Sequence, residues 1–484
     1  MVGNRPVFYT LSIIATMIAT LDNAYLNVID PTPDFLKSIG KSLAYKDKSK
    51  AYQLRRMGRT SWGRGSDAYK KIQAEAQGTL FTELSDGSVA IPTGLYDAGL
   101  LDQFQFNLTD SRRLTGTTVA LPWVKKPFEL RDYQREAVDL MLLHQKGIIN
   151  FATGLGKTLL AVHFIKEYRK RALIVCPSES VAKQFYKECV DAFGQYKVGF
   201  WGDGKKKLND ITIGIAMSVN KDIEVFRAHD LGVVIVDEVH HIPATTFYKI
   251  ALGLSEVGKV FGLSATDYRS DGKDIMITAG CGKVLMRRDI RWGVENGWLA
   301  EPIFIVREVD TTDAKDYKDD KLKSYKAHVL NHKAMKERIE HDVRSMINAG
   351  KSVLCLVDQV EHGRELASNL GIPFATGEDK LSQSYVAQLN SGQISGLIGT
   401  DSKIGEGTDT KNVDVLVLAN FVASKGPVTQ CLGRGLRKQG SKLRCYILDY
   451  IPTGSTMLNR HGYGRVEIYQ EITSKVKVIH VEEV

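Results

Sequence analysis

The chain has 484 residues, with 43% hydrophobic and 25% charged residues, a formal charge of +9 and a pI near 9.0. That length is too great for one hydrophobic core and points to two or three domains of ordinary globular composition. The basic balance suits a polyanionic partner but says nothing of fold. Cys176, Cys189, Cys281, Cys355, Cys431 and Cys445 form no CxxC and lie in apolar segments. They read as buried, reduced thiols in a reducing compartment and suggest no zinc site.

Residues 7–21, VFYTLSIIATMIATL, are the one membrane-like run, and it carries no charge. It falls short of the roughly 18 apolar residues that suggest a spanning helix. A strand or helix packed on the first domain is preferred to a secretory signal with Arg5 as n-region, or to a non-native extension from an upstream start codon. No membrane association is expected. Lys41 to Lys71 holds ten Lys or Arg against two Asp, interleaved with Tyr45, Tyr52, Trp62 and Tyr69. Basic residues mixed with aromatics suit phosphate contacts plus base stacking, with Arg55, Arg56, Arg59 and Trp62 as candidates. A solvated helix face with packed aromatics is the competing reading. LFTELSDGSVAIPTGL, 80–95, predicts a hairpin around Asp86-Gly87, then a turn at Pro92 to Gly94.

From 129 to about 305, short apolar runs alternate with helical patterns: KGIINFA (146–152), RALIVCP (171–177), ITIGIAM (211–217), LGVVIVDE (231–238) and VFGLSAT (260–266). This alternation predicts a parallel sheet covered on both faces. The charged segment 307–328 reads, in its first half, as a linker or exposed insertion. A second series follows in SVLCLVD (352–358), SGLIGTD (395–401), VDVLVLAN (413–420) and LRCYILDY (443–450). Two α/β domains therefore stand in tandem, and a cleft between such domains is a common ligand site.

NFATGLGKTLLAVHF, 150–164, places a Gly-rich turn between a predicted strand and a predicted helix. The strict phosphate-loop pattern asks for Gly where Phe151 stands. Thr153, Gly154, Gly156, Lys157 and Thr158 are otherwise suited to the task. Backbone N–H groups and the helix start would cradle phosphates, Lys157 would reach the β and γ phosphates, and Thr158 would ligate Mg²⁺. In VVIVDEVHH, 233–241, a buried strand ends in two carboxylates. Asp237 would hold Mg²⁺ and Glu238 would orient and deprotonate an attacking water.

Together ATGLGKT and DEVH resemble motifs I and II of superfamily 2 helicases and translocases. RDYQREAV (131–138) is similar to the Q-motif, IVCPSESVAKQF (174–185) to motif Ia, SAT (264–266) to motif III, GTDSKIGEGTD (399–409) to motif V and QCLGRGLR (430–437) to motif VI. The resemblance implies ATP and Mg²⁺ as cofactors. It implies that Gln134 reads the adenine edge and that Arg434 and Arg437 act as arginine fingers. Gln430 would approach the attacking water, and Gly407 and Asp409 would line the nucleotide or the contact between domains. His240, Ser264 and Thr266 would couple the cleft to nucleic acid, and Pro177, Ser178, Gln184 and Thr400 would touch one strand's backbone. Glu406 stands where many relatives carry Arg, so no phosphate contact is expected from it.

SATDYRSDGKDIMITAGCGKVLMRRDIRWGVENGWLAEP (264–302) and TMLNRHGYGRVEIYQE (456–471) resemble the XPB-like and phage UvsW-like branch. The implied fold is two tandem RecA-like parallel-sheet α/β domains with a small N-terminal α+β accessory domain. The implied division is a DNA-binding domain over 1–115, an ATP-binding domain over 116–306, a linker over 307–330 and a second RecA-like domain over 331–484. The implied function is an ATP-dependent DNA helicase remodelling branched DNA in phage or bacterial replication, recombination and repair. It would act as a cytoplasmic monomer, with a single-strand binding protein or recombinase as partner. A double-stranded DNA translocase subunit of a restriction-type system and an RNA helicase are the rivals.

Overall fold

A computed structural model describes residues 16–57, 66–125, 128–240, 242, 244–265, 273–318, 320–377, 381–400, 410, 412–423, 425–438 and 442–481. Three units follow one another. The first is α+β, with a sheet in the order Thr82–Glu83, Val89–Pro92, Tyr25–Ile29, Met17–Leu21, Phe106–Asp110. Met17, Ala19 and Leu21 are buried while Ile18 is exposed, the period of two of a strand with one covered face. The end of the apolar run thus packs on the first unit, and its earlier part lies outside the described residues.

The expected hairpin forms around Gly87 at φ 85°, a left-handed backbone that favours glycine. The turn expected at Pro92 to Gly94 is instead the start of a short helix, Thr93–Asp97. A Cβ on Gly94 would fall 2.4 Å from the Thr278 carbonyl oxygen. This short helix therefore lies directly on helix Asp274–Cys281 of the second unit. Ala244, Met276 and Ala279 of that unit complete the first unit's core. A buried ion pair, Lys273 Nζ to Asp47 Oδ2 at 2.7 Å, crosses the same seam.

The second unit is an eight-stranded sheet. Its order is Lys205–Lys207, Val198–Gly202, Ile211–Ile215, Ala172–Cys176, Val233–Val236, Lys259–Ser264, Lys146–Phe151, Val284–Arg288. Every neighbouring pair is parallel except the one made by Lys205–Lys207. The ALIVC and VVIV runs are buried throughout, as strands covered on both faces must be.

The third unit is a wholly parallel seven-stranded sheet. Its order is Phe374–Ala375, Gly396–Thr400, Val353–Val357, Val415–Ala419, Arg444–Pro452, Glu301–Val309, Val476–Ile479. The boundary expected between 306 and 307 falls inside one of these strands. Glu301–Val309 pairs along its whole length with Arg444–Pro452, so the third unit begins by residue 301. The end of the expected linker is also part of this unit: helix Lys321–Tyr325 runs into a π-helical turn, Lys326–Leu330, with Tyr325, His328 and Leu330 buried. All six cysteines are buried and none is in a disulfide. Among the described residues, no helix is long and apolar enough to cross a membrane.

Candidate active site

The C-terminal ends of strands Lys146–Phe151, Val233–Val236 and Lys259–Ser264 lie side by side, and the motif residues follow them. The Gly-rich turn joins the first strand to helix Lys157–Tyr168. Gly154 at φ 95° and Gly156 at φ 83° sit where only glycine is unstrained, and Gly156 caps the helix, whose first amides point into the turn. The Lys157 ammonium lies 3.1 Å from the Phe151 carbonyl and 3.1 Å from Glu238 Oε1.

Asp237 is 5% exposed, and its Oδ1 has no hydrogen-bond partner among the described residues. Burial and then the Glu238 charge push its carboxyl up to about 7, with Lys157 opposing. Glu238 holds φ 43°, a strained value for a residue with a Cβ, and strain of this kind gathers at reacting groups. The Ala265 N–H donates to Glu238 Oε2 at 3.4 Å.

The third unit reaches this site through helix Lys425–Gly435. Gln430 Nε2 donates to His240 Nε2 at 3.1 Å, which fixes the tautomer with hydrogen on Nδ1. That nitrogen is 2.8 Å from Ser264 Oγ and 3.6 Å from Glu238 Oε2. A Cβ on Gly433 would fall 2.4 Å from Thr153 Cβ, and one on Gly154 would fall 3.2 Å from Arg437 Cγ. The Gly433 and Gly154 backbones thus pack directly on side chains from across the cleft.

Residues 127–269 match the family model described as Type III restriction enzyme, res subunit. The Rad25 protein of Halobacterium salinarum is 27% identical over 368 residues, covering 73% of this chain and 58% of that one. XPB2 of Sulfurisphaera tokodaii, a DNA 3'-5' translocase, is 33% identical over 177 residues, covering 36% of this chain and 39% of that one. The chain therefore spans less than two thirds of either relative. The restriction-modification enzyme LlaBIII, solved bound to DNA, matches with a TM-score of 0.55 at 16% identity, covering 74% of this chain and 32% of that one, a likeness of fold. These comparisons make the chain similar to DNA helicases and translocases.

The motif residues are brought together unevenly. Lys157, Glu238, His240, Ser264 and Gln430 form one connected cluster, with Asp237 next to Glu238 in the chain. Arg434 is buried, and its carbonyl accepts from Thr410 Oγ1 at 3.2 Å. Arg437 lies over Gly154, and desolvation lowers its guanidinium to about 10, still charged at neutral pH. Pro177, Ser178 and Gln184 are half-buried and Thr400 is buried at a strand end. Arg55 is exposed on helix Lys48–Met57. Thr266, Gly407, Asp409, Arg59 and Trp62, and the side chain of Arg56, lie outside the described residues.

Gln134 packs against the turn. Its Oε1 accepts from the Arg131 N–H at 3.0 Å, and its Nε2 donates to the Leu155 carbonyl at 3.0 Å. It is 2% exposed and braces the turn. A cluster not anticipated does the same work beside it. Tyr133 Oη donates to the Leu155 carbonyl at 2.9 Å and packs on Phe151, Trp292 and Trp298, with the Arg131 guanidinium 4.5 Å from the Trp298 ring centre. The only trace in sequence was the RDYQ segment next to two distant tryptophans.

The raised Asp237 carboxyl has a measurable consequence. Folded protein keeps this proton to a higher pH than the unfolded chain, so the contribution present below roughly pH 4 is lost as pH rises to about 7. Asp237→Asn, which cannot ionise, is expected to raise the thermal midpoint of nucleotide-free protein relative to wild type, and by more at pH 8 than at pH 5. Equal differences at both pH values would show that burial does not hold the carboxyl up.

Proposed function

We propose that the chain is an ATP-driven DNA motor that remodels branched DNA by fork regression, Holliday-junction branch migration and unwinding. The observation that carries the motor reading is the Gln430–His240 hydrogen bond, which joins the third unit to the carboxylate cluster of the second. Lys157 and the amides of the turn would hold the phosphates, and Thr158 and Asp237 the Mg²⁺. The orphaned Asp237 Oδ1 is the acceptor such an ion would satisfy. Bound Mg²⁺-ATP supplies the phosphoanhydride to be cleaved and the charge that neutralises its oxygens. Glu238 takes the proton of the attacking water. Arg434 and Arg437 place positive charge at the cleft from the other domain, so cleavage favours a closed arrangement. Closing and opening the two domains on one strand moves the chain along a sequence-blind phosphate backbone.

The branched-DNA part rests on the resemblance of 264–302 and 456–471 to the UvsW-like branch and on the basic first unit. We further propose a monomer acting in a bacterial cytoplasm, including that of a phage-infected host, in replication, recombination and repair, alongside a single-strand binding protein or recombinase. A restriction-type translocase subunit is the second reading, favoured by the family model over 127–269.

Wild type and Lys157→Ala are to be compared on a synthetic four-way junction with homologous arms, with ATP and Mg²⁺. Wild type alone is expected to convert the junction to duplex products. Hydrolysis on DNA with an intact junction would move the translocase reading ahead. Hydrolysis stimulated by RNA and not DNA would overturn both.

A further inference from the structure

At the end of the second unit's sheet opposite the nucleotide turn, three adjacent parallel strands have a lysine at or just before their first residue. Lys259 and Lys146 open strands Lys259–Ser264 and Lys146–Phe151, and Lys283 immediately precedes Val284–Arg288. All three border a cavity of about 600 Å³ at the seam with the first unit, which contributes Asp97, Asp110 and Arg112. This volume lies within the range of small-ligand sites. A strand of six residues spans about 20 Å, which separates the cavity from the turn that follows Phe151.

Most of the charges around the cavity are engaged. Arg112 bridges Asp97 at 2.9 Å and Asp110 at 2.6 Å. The Lys259 ammonium donates to the Met141 and Leu142 carbonyls at 3.1 and 2.8 Å, closing the end of helix Asp132–Leu143. Lys146 differs. It is 7% exposed, lines the cavity, and makes no hydrogen bond or ion pair among the described residues. Desolvation lowers its ammonium to about 8, with the Asp97 charge opposing. A buried ammonium without an acceptor is costly, and its natural remedy is an anion. Lys146, Lys259, Lys283 and Arg112 outnumber Asp97 and Asp110, so the cavity has an excess of positive charge.

We propose that this seam cavity binds a phosphate group between the ammonium groups of Lys146 and Lys283. Phosphate oxygens accept strongly from such charges, and lysine binds phosphate as a point charge. Both lysines belong to the second unit, and Arg112 and Asp97 of the first line the same cavity. The site is independent of the proposed motor activity.

Calorimetric titration with inorganic phosphate tests this, in the Lys157→Ala chain so that the nucleotide turn contributes less. Phosphate binding is expected there and should weaken at least about ten-fold on adding Lys146→Met, the worth of one charged hydrogen bond. Lys283→Ala, at an exposed position, should weaken it as well and serves if Lys146→Met impairs folding. No phosphate binding, or binding unchanged by Lys283→Ala and by a folded Lys146→Met chain, overturns the proposal. A short single-stranded oligonucleotide added in competition separates the sources. Displacement of phosphate assigns the site to a nucleic-acid backbone, and persistence assigns it to a free phosphate.

Discussion

Glu238→Gln is expected to lower the turnover number for ATP by about 10²- to 10⁴-fold, the usual worth of a positioned general base, while nucleotide affinity changes little. The geometry separates these effects. Lys157, which would meet the phosphates, is held by the Phe151 carbonyl as well as by Glu238, so the amide variant keeps one of its two anchors. Glutamine fills the same volume and still accepts from the Ala265 N–H through its carbonyl oxygen. It cannot take a proton from water. Steady-state hydrolysis with and without DNA, beside nucleotide binding by fluorescence, reads the two parameters apart. A Glu238→Gln chain hydrolysing ATP at close to the wild-type rate would falsify the base assignment and leave Glu238 as a holder of Lys157.

Lys273→Met is expected to destabilise the folded protein by about 3–5 kcal/mol, because it leaves the Asp47 carboxylate buried without its counter-charge. Asp47 and Lys273 are 3% and 5% exposed, too deep for water to replace the lost partner. The effect should exceed that of removing a surface pair such as Lys187–Asp191, which is worth at most about 1 kcal/mol. The double variant Asp47→Asn, Lys273→Met should recover part of the loss, since it carries no buried charge. Asp47 Oδ1 also accepts from the Lys50 N–H at 3.1 Å at the start of helix Lys48–Met57, a bond that asparagine can keep. Urea denaturation of the three variants decides the matter. A single variant no less stable than the double one would mean that the pair does not hold the seam.

The two parallel sheets were legible because a strand covered on both faces leaves an unbroken apolar run, as in VVIV and VLCLV. The turn was legible because Gly154 and Gly156 stand where the backbone demands glycine. Glu301–Val309 was not. Its burial alternates, so it reads as a half-exposed strand or a linker, and its partners lie over 444–452 and 476–479, where no local pattern points to them. The bonds of Gln134 were not legible either, because sequence gives a residue's donors and acceptors but not which neighbours take them. The seam between the first two units was hidden for a similar reason. Ala244, Met276 and Ala279 look like ordinary core residues of the second domain and in fact fill the first.

That shared core has a mechanical consequence. The first unit cannot swing on a tether, because turning it would pull Met276 and Ala279 out of its own interior and break a buried ion pair. The first and second units are thus held as one body, and the closing proposed for the third unit would act against both together. A load applied to the first unit therefore reaches helix Asp274–Cys281 of the second through packed side chains and one buried ion pair.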